Sequence, residues 1–147
     1  MFDPLHFEYA LEIQPPYGNL ILSGQKSVET RRYPLPKELI GHKIYLFGKN
    51  SVGTDGISSI QDQILEGQVD LKIWGQVIFS EIFMYETKEQ WDNDRLLHRV
   101  GESSVYDWSN ESVVWGWRVT MAECWQDPLE VLSMTRVLRS IFVINQT

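Results

Sequence analysis

The residues best suited to chemistry lie in one short run, Gly24-Gln25-Lys26-Ser27-Val28-Glu29-Thr30-Arg31, preceded by Gln14-Pro15-Pro16-Tyr17. In strand geometry Ser27, Glu29 and Arg31 project to one face, while Val28 and Thr30 project to the other. Charge on one face with an apolar Val28 behind it suggests a polar cleft backed by core. Lys26 follows the turn at Gly24 closely, so its direction stays open. Lys26 and Arg31 can hold a phosphate or a base carbonyl, with Glu29 accepting from an exocyclic amine, as carboxylates do with cytosine N4. Alternatively, a desolvated Lys26 beside Glu29 forms a general acid–base pair. The plainer reading is an exposed Glu29–Arg31 pair worth under about 1 kcal/mol.

Other chemistries lack their residues. Gly48-Lys49-Asn50-Ser51 is no phosphate-binding loop, because position 43, where that motif requires glycine, is Lys43. There is no G-x-S-x-G and no H-E-x-x-H. His6, His42 and His98 are far apart, so no metal site and no cofactor are expected. Cys124 is the only cysteine, which excludes an internal disulfide or a cysteine-based zinc site. Its place beside Trp125 in a strand pattern predicts a core thiol.

These residues need a scaffold. Phe7 to Ile13 alternates as a first strand, with Phe7, Tyr9, Leu11 and Ile13 on one face. Pro16 opens a short helix carrying Tyr17, Leu20 and Ile21, closed by Gly24. Ser27 to Arg31 and Lys43 to Phe47 read as strands, separated by the break at Tyr33-Pro34-Leu35-Pro36. Lys49 to Gly56 reads as a polar loop able to close over a ligand. Ser58 and Gln61 have capping-box spacing, with Ile57, Ile60 and Ile64 on one helical face and Gly67 as the stop. Trp74 to Tyr85 is β-rich. Thr87 and Gln90 repeat the capping box and open a helix through about His98. Val113 to Glu123 and Val137 to Ile144 read as two further strands. Strands outnumber helices and lack regular helical crossovers, so the expected class is α+β: a mixed, mostly antiparallel β-barrel flanked by short helices.

The chain has 147 residues, 43% hydrophobic and 22% charged, which suits a single domain spanning 1–147 with no repeats or linkers. Its net charge of −7 argues against a broad duplex binder. Yet Gly24 to Asn50 carries six basic residues against two acidic ones, a local +4 that leaves about −11 elsewhere. Such a basic face on an acidic body favours one confined anionic ligand, a nucleotide or a short strand. No run reaches the roughly 18–20 apolar residues of a membrane span. Met1-Phe2-Asp3-Pro4 is no signal sequence, so the expected location is intracellular, cytoplasmic or nuclear. Without a secretory signal the Asn110-Glu111-Ser112 sequon carries no weight.

Pro-Tyr, a short helix and then G-x-K-x-x-E-x-R resembles the ASCH family (activating signal cointegrator homology), a branch of the PUA-like barrels. Gly24, Lys26, Glu29 and Arg31 match its signature. The likeness continues through Gly41 to Phe47, Gly75-Gln76-Val77, Trp115-Gly116-Trp117, Asp127-Pro128-Leu129 and Ile141-Phe142-Val143, covering roughly Ile13 to Ile144. The resemblance implies a PUA-like barrel with a cleft for RNA or a modified nucleobase. Some relatives are amidohydrolases of N4-acetylcytidine that use a lysine, a threonine three residues later and a separate glutamate; others are linked to ribonuclease activity. Here Lys26 matches the lysine, but Glu29 stands at the threonine position. Thr30 is one residue off, on the opposite strand face.

The expected function is therefore RNA or modified-nucleoside binding. Lys26, Glu29 and Arg31 would form the cleft, joined by Pro16, Tyr17, Lys49, Trp115 and Trp117. The alternative is a metal-independent amidohydrolase acting on an N4-acylated cytidine, or less readily a ribonuclease, with Lys26 and Glu29 as acid–base residues. Trp115 and Trp117 share a strand face and, like Tyr17, read either as core or as stacking rings worth about 1–3 kcal/mol per base. Arg136 and Arg139 read as phosphate contacts or as solvated surface. A third class is a protein-interaction module whose contact face is the acidic surface from Asp55 onward.

Overall fold

The computed structural model describes residues 2–48, 64–66, 72–131 and 133–145. Among them, eight strands form one sheet: β1 (Tyr9–Ile13), β2 (Val28–Arg31), β3 (Lys43–Gly48), β4 (Ile64–Glu66), β5 (Lys72–Tyr85), β6 (Val114–Glu130), β7 (Ser133–Leu138) and β8 (Ile141–Ile144). Helix α1 (Tyr17–Leu22) follows β1, and α2 (Lys88–Asn93) and α3 (Arg95–His98) follow β5. The sheet order is β2-β6-β5-β3-β1-β8-β7-β4. β1 and β3 run parallel and the other pairs antiparallel. The expected mixed, mostly antiparallel architecture is therefore present, as an open barrel rather than a closed one. No helix among the described residues is long and apolar enough to cross a membrane.

The curl of the sheet follows from its core. Tyr9, Leu11 and Ile13 of β1 point to one side, where they meet Ile44 and Leu46, Val77 and Phe79, Trp117 and Ile141. Ala10 points to the other side, onto Phe47, Ile73, Met134 and Phe142. β1 is thus covered on both faces, and all five of its residues are buried. Each fully buried large apolar side chain contributes about 1.5–3 kcal/mol, so this double-sided packing anchors the centre of the sheet. At the far side, the β2 residue Arg31 donates from Nη2 to the Glu12 carbonyl on β1 at 2.9 Å. Tyr33, just past β2, accepts at its hydroxyl from Ser140 N at 3.4 Å, in the turn between β7 and β8. These contacts draw the sheet's edge back towards its middle and leave a side-chain-bridged seam.

Local signals held at several ends. α1 runs out at Ser23, and Gly24 continues at φ +85°, the left-handed conformation glycine adopts without a Cβ penalty. The Thr87–Gln90 capping box is formed in both directions at 3.1 and 3.3 Å.

Other expectations are corrected. Phe7 is outside β1 and 47% exposed. The expected helix through His98 is two helices that meet at Asp94, whose carboxylate accepts from the Tyr85 hydroxyl at 2.7 Å. The expected strand from Val137 to Ile144 is a hairpin: β7 and β8 turn through Arg139 at φ 52° and Ser140. β6 continues past Glu123 because residues 125–128 bulge opposite Trp74 alone, so Pro128 sits where no ladder donor is needed. Cys124 is exposed rather than a core thiol. Ile64 begins a strand paired with β7, not the end of a helical face; the Ser58–Gln61 capping box itself, the Lys49–Gly56 loop and Asp55 lie outside the described residues.

Candidate functional site

The seam opens into a cleft of about 430 Å³. Its walls are the end of β1, the first residue of α1, β2 with the residues around it, the segment after α3, and the Arg139-Ser140 turn. β2 is an edge strand, hydrogen-bonded on one side to β6. Val119 N donates to Ser27 O at 2.8 Å. By the alternation of an antiparallel ladder, Glu29 and Arg31 turn their main-chain groups to β6, and Thr30 turns its own to the free edge.

Three charged side chains of β2 and the turn before it meet on the cleft's inner wall. Arg31 Nε donates to Glu29 Oε2 at 2.8 Å, and Lys26 Nζ lies 3.5 Å from Glu29 Oε1. Lys26 and Glu29 are 1% and 4% exposed. Buried Lys26 and partly buried Arg31 share one carboxylate, in place of the exposed Glu29–Arg31 pair of the plainer reading. The turn at Gly24 sends Lys26 inward: its main-chain N–H donates to Leu20 O at 2.9 Å, and its ammonium donates to the carbonyl of His98. The same ammonium lies 5.1 Å from the centroid of the Tyr17 ring.

Electrostatics separate the two cations. Burial pushes the Lys26 ammonium below its ordinary value; Glu29 opposes that shift and Arg31 adds to it. For Arg31 burial also pulls downward, but Glu29 and Tyr33 outweigh it, so its guanidinium is held above the usual value. Arg31 is therefore a fixed charge, whereas Lys26 is the group that can lose its proton most readily.

His98 supports this arrangement from behind. It is fully buried, stacked on Trp91 with centroids 3.9 Å apart and planes 21° from parallel. Val100 N donates to its Nδ1 at 3.0 Å, so Nε2 carries the proton and donates to Trp91 O at 2.9 Å. Burial lowers its pKa, which agrees with a neutral ring. Among the described residues no cluster of side chains is arranged to hold a metal ion.

The aromatic lining comes from tyrosines. Tyr17 meets Tyr106 edge to face at 6.0 Å, and its hydroxyl shares a 3.4 Å hydrogen bond with Ser104 Oγ. Tyr33 lines the cleft too, with Arg139 over its ring at 5.0 Å. Trp117 is fully buried, its Nε1 donating to Tyr33 O at 3.2 Å and its ring set edge to face on Tyr33 and Phe79. Trp115 is half-buried against the same core. Neither tryptophan is part of the cleft lining, and neither is Pro16, an exposed residue at the N-cap of α1, one position before the first helical residue. Lys49 lies outside the described residues.

Arg136 is buried rather than solvated, its guanidinium 4.5 Å from the Phe142 centroid and donating to the Arg139 carbonyl. Arg139 is exposed on the rim. Glu12, Arg32, Tyr33 and Tyr106 also line the cleft and are absent from the set expected from sequence. Glu12 sits within a strand of apolar residues, and such a buried acid was the available signal. Tyr33 and Tyr106 carried no signal, because turns and loops have no periodicity to orient them.

No family model matches the sequence, and no curated protein matches it. Solved structures do. The ASCH protein of Zymomonas mobilis superposes with a TM-score of 0.61 at 16% identity, over 87% of this chain and 75% of that one. Two point mutants of the same protein give TM-scores of 0.59 and 0.60 at 17% identity, over 84% and 85% of this chain and 73% and 76% of theirs. The chain has the ASCH-domain fold.

Proposed function

We propose that the cleft binds a nucleobase, as a modified nucleoside or within RNA. The observation that carries this reading is the largely buried Lys26–Glu29–Arg31 set beside the Tyr17 and Tyr106 rings. A flat polar heterocycle needs an aromatic face and a few oriented donors and acceptors, and a cleft of this size is in the range of small-ligand sites. Lys26 has donor capacity beyond the His98 carbonyl, and Glu29 has lone pairs beyond those used by Lys26 and Arg31. The ASCH-domain fold adds support without fixing the ligand. The test is calorimetric titration with nucleosides and short RNA: Lys26→Ala must weaken binding, and unchanged affinity in that variant sinks the assignment.

One observation favours a second reading. The lowered pKa of Lys26 raises its neutral fraction, which suits a general base for hydrolysis of an N4-acyl amide on cytidine. A phosphodiester substrate is the lesser variant of this chemistry. Incubation with N4-acetylcytidine, followed by mass spectrometry, separates the readings. Cytidine release that depends on Lys26 and Glu29 makes the protein an amidohydrolase; no release excludes that reaction, and cleavage of a short RNA tests the phosphodiester variant separately.

A further inference from the structure

We infer that the ligand of this cleft carries a phosphate, held at the rim by Arg32 and Arg139; the inference rests on the nucleobase reading above. Charge is divided unevenly across the cleft. Its inner wall is largely compensated: Lys26 and Arg31 share Glu29, and Glu12 is set against the buried Arg136. A compensated, desolvated wall suits an uncharged polar group such as a base edge, because a further net charge there would face its full desolvation cost.

The rim is different. Arg32 and Arg139 both line the cleft and both are exposed. Among the described residues neither has a carboxylate within ion-pair distance. Both belong to the same lining as Tyr33, and Arg139 lies over the Tyr33 ring. Contact with a ring face uses none of the in-plane N–H donors, so the N–H fork of Arg139 stays available while its position is restricted. The turn also places it deliberately, since Arg139 holds φ 52°, a conformation a non-glycine residue adopts only at some cost. Two exposed guanidinium groups on the rim, one of them over an aromatic ring, next to a charge-compensated polar wall, match the layout of a nucleotide: phosphate at the rim, base within.

The test titrates the protein calorimetrically with each of the four common nucleosides and with N4-acetylcytidine, and in each case with its 5′-monophosphate and a trinucleotide centred on the same base. The expected result is that the monophosphate of the preferred base binds about tenfold tighter than its nucleoside. That gain should vanish in Arg139→Asn, which tolerates the left-handed turn, and shrink in Arg32→Gln. Further tightening with the trinucleotide assigns the phosphate to a strand; none assigns it to a mononucleotide. Equal affinity for nucleoside and monophosphate overturns the phosphate site alone. No binding of any probe overturns the nucleobase reading with it.

Discussion

The ammonium of Lys26 is held by the main-chain carbonyl of His98, 72 positions further along the chain. The charge most central to the cleft is thus positioned by the C-terminal end of α3, and α3 is fixed in turn by the stack of His98 on Trp91. Removing the His98 ring should act on both. His98→Ala is expected to cost about 2–4 kcal/mol through a cavity and two lost hydrogen bonds, read by urea denaturation. It should also weaken ligand binding without touching the ligand.

The same residue gives a pH signature. Its folded pKa lies below 6.5, so the unfolded chain takes up the proton first as pH falls. Stability should therefore be lost from about pH 6.5 downward to the lowered folded value, and level off for this group below it. Denaturation series from pH 4 to 8 check this against His98→Gln, which should lack that component. A wild-type curve with the same slope as the variant would refute a buried neutral imidazole.

Glu29 compensates the buried Lys26 and the partly buried Arg31, and its neutralisation should be felt in the fold as well as in the site. Glu29→Gln leaves Lys26 and Arg31 facing each other without a carboxylate between them. The expected loss is about 3–5 kcal/mol, measured by chemical denaturation. A change within about 0.5 kcal/mol would mean that water already solvates the pair.

Tyr106 offers the opposite case. Its ring is 46% exposed, so Tyr106→Ala should alter stability little. If the ring stacks on a base, ligand affinity should fall by about 1–3 kcal/mol. Calorimetry on a variant with unchanged melting separates these effects cleanly.

Gly116 sits under the Phe83 ring: a Cβ built there would come within 2.4 Å of it. Gly116→Ala is expected to cost about 1–3 kcal/mol by overpacking, and Phe83→Leu should recover part of the loss. Thermal melting of the two single variants and the double variant measures that coupling. The middle residue of Trp115-Gly116-Trp117 is thus set by packing, not by ligand contact.

What could be read without coordinates was local. Period-two alternation marked most of β1, a run of β-forming residues marked β5, and Thr87 with Gln90 and Gly24 marked helix ends, because each of these rests on residues close together in the chain. The β7–β8 turn escaped detection because Arg139 adopts a left-handed conformation without the glycine or asparagine that usually announces one. The continuation of β6 escaped because a bulge let Pro128 remain in a strand.

The sequence by itself determined that Glu29 and Arg31 share one face of a short strand beside a lysine, since strand periodicity dictates side-chain direction. Tertiary structure decided the rest. The inward path of Lys26, its carbonyl partner on α3, the burial of Trp117 and the tyrosine lining all depend on how the sheet curls. That curl brings β2 back against β1 and the β7–β8 turn, through contacts between residues far apart in the chain, and no local pattern specifies which distant groups will meet.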